Sequence, residues 1–363
     1  MVKEQSKDIY SLGIACVFLS SFMALFFGIG SYMLYSLTAN DAYIAVIVGS
    51  LISIATFKFF YYIFSNNNKS NIYELNKDLF GKIFGNILNA MMFFALFIIA
   101  VVIFYNISSF LNIEYLPEAN TDMVKLLILV SLMYACTKGL PELIRANQIF
   151  AIISTAIIAI EIIGSFAQFD ISNIEPVLSC DKGNMVLAIG TYIGLSAIPY
   201  FMLLITSKKR IKDEQRCKSS LLKVIIFTNL LQVIIAVITI LILGKSYIKI
   251  FRFPEYVALK QFSLFNIFER VENVLSLQYY FTAFSCLSLI FYYLIQIFPN
   301  NRIKKYYSVI VSLVIFVVTQ VCIKDSIHFV SLTANYIYYV ILTCTVTPLL
   351  LTFIKLKKCN KKS

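Results

Sequence analysis

The sequence predicts an all-α polytopic membrane protein with ten transmembrane helices, and three observations predict it. Of 363 residues, 60% are hydrophobic and only 14% charged, with a mean hydropathy of +0.82. A water-soluble domain carries about a quarter charged residues. The apolar residues also gather into runs that can cross the hydrocarbon core, which takes about 20 residues of helix. Finally, the basic residues sit in short clusters between those runs, as topology-setting residues do.

The runs fall near 10–36, 42–65, 82–106, 123–137, 147–169, 185–206, 220–244, 274–298, 306–323 and 335–355. The fourth is short, and charge sidedness tests it. With the N-terminus inside, 23 of the 31 Lys and Arg residues fall on the cytoplasmic side and 8 outside. Removing the fourth run would expel the basic cluster 208–223 to the outer side, against the positive-inside rule. Met1–Asp8 is mixed in charge, and the run from Tyr10 to Leu37 is too long for a signal peptide. It reads as the first span, with both termini cytoplasmic. Between spans, Ser70–Phe80 reads as a short amphipathic helix stopped by Gly81. Pro254–Asn273 reads as a helix along the outer surface, with Pro254 suited to its first turn. One integral membrane domain covers 1–363, in two five-helix halves of about 10–169 and 185–355.

Composition also excludes. A net charge of +12 can accompany nucleic-acid binding. Here the charge is dispersed among loops, so the expected partner is the lipid bilayer and not nucleic acid. The cysteines (16, 136, 180, 217, 286, 322, 344 and 359) show no Cys-x-x-Cys spacing and read as free thiols, not metal ligands. With one histidine, no phosphate-cradling glycine loop and no His-Glu-x-x-His or Gly-x-Ser-x-Gly, enzyme function and a cofactor are not expected.

A matched pair of helix interruptions points to a site. Span 1 carries Gly28, Gly30 and Ser31; span 6 carries Gly190, Thr191, Tyr192, Gly194 and Pro199. Glycine is poor in helix interiors and proline removes a backbone donor. In lipid, broken backbone is tolerated only where protein or a cavity surrounds it. These are the leading helices of the two halves, and paired interruptions of that kind mark binding sites in inverted-repeat transporters. A half-helix starting at the break presents free N–H groups, so a ligand carboxylate fits the Gly30 and Ser31 amides. The competing reading is that the glycines only let helices approach closely.

Glu161 is the one acid well inside a span, a default functional candidate. It could exchange a proton or pair with Asn229 or Gln232; a purely structural acid is the alternative. Gln278, Thr282 and Ser285 recur at helical spacing and could line one face of span 8, although interhelical hydrogen bonding explains them equally. His328 reads as a surface residue near a loop.

Further motifs carry a family resemblance over nearly the whole chain. They are Asn-Asp-Ala-Tyr-Ile-Ala-Val at 40–46, Phe-Gly-Lys-Ile-Phe-Gly at 80–85, Leu-Pro-Glu-Leu-Ile-Arg-Ala at 140–146 and Glu-Pro-Val-Leu at 175–178. Most specific is Phe-Pro-Glu-Tyr at 253–256 followed by Phe-Glu-Arg-Val-Glu-Asn at 268–273. The chain resembles the B subunit of spore germinant receptors, endospore-type permeases of the amino acid–polyamine–cation superfamily. Gly28–Ser31 is similar to the first broken helix of that superfamily. Where the family has Trp this chain has Tyr, at Tyr43 and at Tyr279 or Tyr280.

The resemblance implies a receptor that binds a small nutrient, often an amino acid, in a permease-like core. It further implies an A-type membrane subunit and a C-type lipoprotein as partners, in the spore inner membrane. Glu269, Arg270 and Glu272 form the family element; read from the residues alone, they anchor the outer helix rather than touch ligand. A proton- or ion-coupled amino-acid transporter working through Glu161 is the second reading. A scaffold with a dead pocket is the third.

Overall fold

Each expected apolar run is a helix in the computed structural model, which describes residues 9–67, 69, 71–206, 208–260, 276–296, 301–333 and 338–360. Span 1 is α1 (Ser11–Leu25) and α2 (Ser31–Thr38), separated by a π-helical stretch at Phe26–Gly30. Then come α3 (Ala42–Ser65), the short α4 (Ile72–Phe80), α5 (Lys82–Glu114), α6 (Thr121–Lys138) and α7 (Leu140–Ser165). The second half holds α8 (Lys182–Ile205), α9 (Glu214–Ile248), the connector helix α10 (Pro254–Lys260) and α11 (Leu277–Gln296). It closes with α12 (Asn301–Cys322), the short α13 (Ser326–Leu332) and α14 (Tyr338–Asn360).

Local chemistry sets the boundaries. Asn71, Asn120, Asp181 and Asp325 cap α4, α6, α8 and α13 by accepting hydrogen bonds from first-turn amides. Gly139, at φ 95°, turns the chain between α6 and α7. Span 5 therefore starts at Leu140, with Pro141 in its first turn, seven residues before the apolar run begins.

Among the described residues, six stretches can cross a membrane by length and composition, and the first, Ser11–Ser65, contains spans 1 and 2. Charge explains why α6 falls outside those six, since it holds Asp122, Lys125 and Lys138, while Tyr307–Cys322 of α12 is a shorter apolar helix. Within the most apolar window, 89% of Ser11–Ser65 and 83% of α8 is buried, against 22% for the stretch containing α7. Spans 1 and 6 thus form the protein's centre, while Leu51, Ile83, Ile152 and Ile163 turn outward to lipid.

Loop contacts sort into two ends. At one, Ile9 bridges Ile211, Lys208 bonds the Ser65 carbonyl, and Thr352 donates to Asn76. At the other, Asp41 meets residues 178–180, Asn173 meets Leu241, and Gln320 bonds Asp122.

Two expectations need correction. Span 6 is not broken: α8 runs as one helix through Gly190, Gly194 and Pro199 and stops at Thr206. One lost donor does not part a helix whose other groups are held. The described part of the helix expected over Pro254–Asn273, Pro254–Lys260, does not lie along the outer surface either, and residues 261–273 lie outside the described residues. Pro254, Glu255, Tyr256, Ala258 and Leu259 are buried, because α10 packs against α9 and the π-helical break.

Candidate functional site

The break in span 1 begins at Phe27, whose ψ of 119° leaves the helical region, and Gly28 follows in the left-handed region at φ 67°. A Cβ on Gly28 would sit 2.4 Å from the Phe253 ring, so only glycine admits both the turn and the neighbour. The backbone groups freed by the break find partners. Gly28 N–H donates to Ser31 Oγ at 3.2 Å, and the Phe27 carbonyl accepts from Asn106 Nδ2 at 3.2 Å. Asn106 also donates to the Tyr279 hydroxyl at 2.7 Å, tying α5, the break and α11 together.

Aromatic rings fill the adjoining space. Phe27 stacks on Tyr279 with centroids 4.3 Å apart, and Phe110 meets Phe27, Phe253 and Tyr279 edge-on. Arg252 anchors the start of the connector: Nη1 donates to Ser109 Oγ at 2.8 Å and Nη2 to Asn106 Oδ1 at 3.2 Å. Its guanidinium lies over the Tyr105, Phe253 and Phe329 rings. The connector thus inserts Phe253 and Glu255 at the break.

Glu255 is 6% exposed and faces Ser31. Burial pushes its carboxyl up to about 7, opposed by the Ser31 hydroxyl. A cavity of about 50 Å³ lies beside it, lined by Phe27, Glu161, Thr239, Glu255 and Gln278 among others. A second hollow of about 450 Å³ opens between α6, α7 and α11, with Asn147 and Ser285 on its wall.

The expected site residues divide accordingly. Gly28, Gly30 and Ser31 form the break, and the Ser31 amide donates to the Phe26 carbonyl. Gly28 N–H is taken by Ser31, and Gly30 is the point where the Leu195 side chain of α8 approaches, 2.8 Å from where a Cβ would lie. At Gly30, close approach is therefore the operative property. Gln278 reaches the small cavity, whereas Thr282 donates to the Gln278 and Tyr279 carbonyls and Ser285 faces the larger hollow.

On α8, Thr191 bonds back to Leu187. The Tyr192 hydroxyl accepts from Ser50 and donates to Asn229, both at 2.8 Å. Tyr192 thereby clamps α8 to α3 and α9, one residue after Thr191 and between Gly190 and Gly194. Asn229 is therefore not the partner of Glu161. Glu269, Arg270 and Glu272 lie outside the described residues. Missed by sequence reasoning were Asn106, Phe253 and Glu255. The Phe-Pro-Glu-Tyr motif marked the last two, but nothing local reveals that a connector will turn inward.

A continuous bundle in two halves, with its first helix broken at the centre, defines the class: a polytopic protein of the permease type. Comparison agrees. The transporter Mhp1 of the nucleobase-cation-symport-1 family, in a closed conformation with bromovinylhydantoin bound, matches with a TM-score of 0.64 at 10% identity. The match covers 100% of this chain and 96% of that one. A Na+-coupled sialic acid symporter, in a substrate-bound outward-open state, matches with a TM-score of 0.61 at 11% identity, covering 94% and 82%. Such identities establish a shared fold, that of transporters built on inverted repeats. No protein with a curated description matches the chain. The family model described as "Spore germination protein" matches residues 15–330, and the chain belongs to that family of spore permeases.

Proposed function

We propose that this chain is the membrane subunit of a spore nutrient germinant receptor. It binds a small nutrient, an amino acid by class, in the permease-like core and triggers germination with an A-type membrane subunit and a C-type lipoprotein. It sits in the spore inner membrane with both termini cytoplasmic, the orientation favoured by the 23 of 31 basic residues on that side.

The observation that carries this reading is the family match over residues 15–330, which takes in both the break and its connector. The packing supplies a physical basis for sensing. Phe253 packs on Gly28 and Glu255 faces Ser31, in the region where a ligand would meet Gly28, Gly30, Ser31, Gln278 and Thr282 on this reading. A nutrient that binds only when they withdraw favours one conformation over the other, which differential affinity requires. The test is a Gly30→Leu substitution, expected to abolish the nutrient response while the protein stays in the spore membrane. Normal germination at unchanged nutrient concentration would refute the site.

An ion-coupled amino-acid transporter is the second reading, favoured by Glu161 on the wall of the central cavity. Gradient-driven accumulation in liposomes that disappears in Glu161→Gln would decide for transport.

A further inference from the structure

Glu161 comes from the last turns of α7, four residues before Ser165, and Glu255 from α10, and both line the 50 Å³ cavity beside the break. They lie within Coulombic reach of each other. Glu161 Oε1 and Glu255 Oε2 are buried, and among the described residues neither has a hydrogen-bond partner. No Lys, Arg or His lines the cavity among the described residues. The other polar groups on its wall are Gln278, Thr239 and Ser165. Thr239 and Ser165 already donate their hydroxyl protons to the Ile235 and Ile162 carbonyls, both at 2.8 Å, so toward anything else they act only as acceptors.

The cavity is therefore rich in acceptor oxygens and poor in donors. Two charged carboxylates held this way, each with one oxygen left without a partner and Glu255 faced by the Ser31 hydroxyl, call for compensating positive charge. Its volume suits one particle near the size of a water molecule, whose share of liquid is about 30 Å³. A divalent ion takes about six to eight oxygens, more than the few polar groups on this wall supply.

We propose that Glu161 and Glu255, with Gln278 and Thr239 on the same wall, form a binding site for one small monovalent cationic group. The group is either an alkali ion or the ammonium end of an amine. Glu255 belongs to the connector and Glu161 to a spanning helix, so the cation fastens α10 to α7. The site stands on its own geometry, whichever of the two functions above the protein serves.

Thermal unfolding of the purified full-length protein, followed by tyrosine fluorescence, tests it. NaCl, KCl and methylammonium chloride are titrated separately at fixed pH, with ionic strength held constant by N-methyl-D-glucamine chloride, whose cation is too bulky to enter. At least one of the three small cations is expected to raise Tm saturably by about 2–5 °C, since a ligand of the native state stabilises by mass action. Response to Na+ or K+ identifies an inorganic ion, and response to methylammonium alone identifies the amine of an organic ligand. Glu161→Gln and Glu255→Gln should each weaken the effect at least tenfold, Thr239→Val several-fold, and Glu175→Gln, exposed on a loop, not at all. The proposal fails if no small cation acts more strongly than N-methyl-D-glucamine. It fails equally if the Gln variants respond as the wild type does; should they not fold, the wild-type titration and Thr239→Val decide.

Discussion

Spans 1 and 6 carry similar punctuation and meet different ends. Span 1 has Gly28 and Gly30 and opens into a π-helical break; span 6 has Gly190, Gly194 and Pro199 and stays one helix. The difference lies in what surrounds each. At Phe27 and Gly28 the freed carbonyl and amide are taken up by Asn106 and Ser31, and Phe253 fills the space the glycine leaves. Along α8 the neighbours hold the helix in register instead. Tyr192 is bonded to Ser50 and Asn229, and the Tyr200 hydroxyl donates to the Ser53 carbonyl. Glycine permits a break; only replacement partners make one stable where water is absent.

This contrast can be broken experimentally, and Gly28→Val should do the most damage. It forces a β-branched residue to positive φ, at about 1–2 kcal/mol, and drives a side chain into Phe253, at about 1–3 kcal/mol more. A fall in Tm of many degrees, or loss of monodisperse protein, is expected. Asn106→Leu strands the Phe27 carbonyl and should cost about 1–3 kcal/mol by the same measurement. Tyr192→Phe makes the equivalent cut in span 6, leaving Ser50 and Asn229 without their shared hydroxyl, at about 1–2 kcal/mol. Pro199→Ala should change stability by less than about 1 kcal/mol, since α8 already continues past it; a large loss would mean that the proline shapes the helix after all.

The smallest effect is a pH dependence where α1 begins. Asp213 accepts from the Ser11 amide at 2.7 Å and the Ser11 hydroxyl at 2.6 Å. Burial alone would raise its carboxyl, but these hydrogen bonds outweigh it and hold the group below the usual carboxylate range. A depressed folded value contributes stability above the unfolded value that is lost as pH falls through the folded one. The contribution should therefore fade below about pH 4. Asp213 is only half-buried and sits near solvent, so Asp213→Asn should flatten that acid limb only slightly.

Much of this architecture was legible in the sequence. Lipid imposes a length and a composition on each crossing, and charge sidedness retained α6 despite Asp122, Lys125 and Lys138. The break was legible at Gly28 because a left-handed residue in a helix needs glycine. The continuity of α8 was not, since it depends on Ser50 and Asn229, which lie far away along the chain. Glu161 stood out as an acid in an apolar run. Its companion Glu255 did not, because an acid in a connector looks ordinary until α10 is seen to turn inward. Conversely, Thr191 and Thr282 looked like ligand contacts, yet their hydroxyls bond back to their own helices.

The cap on α1 has a consequence for biogenesis. Its first amide is satisfied by Asp213, 202 residues later, and the break that ends it is filled by Phe253, later still. At about 5–20 residues per second, synthesis takes roughly 10–40 s to supply the first of these. For that interval the leading span sits in the insertion machinery with unpaired backbone at both its head and its middle. It should therefore stay with the translocon or a chaperone until the seventh span arrives, and C-terminal truncations before residue 253 should leave α1 accessible to protease or to quality control.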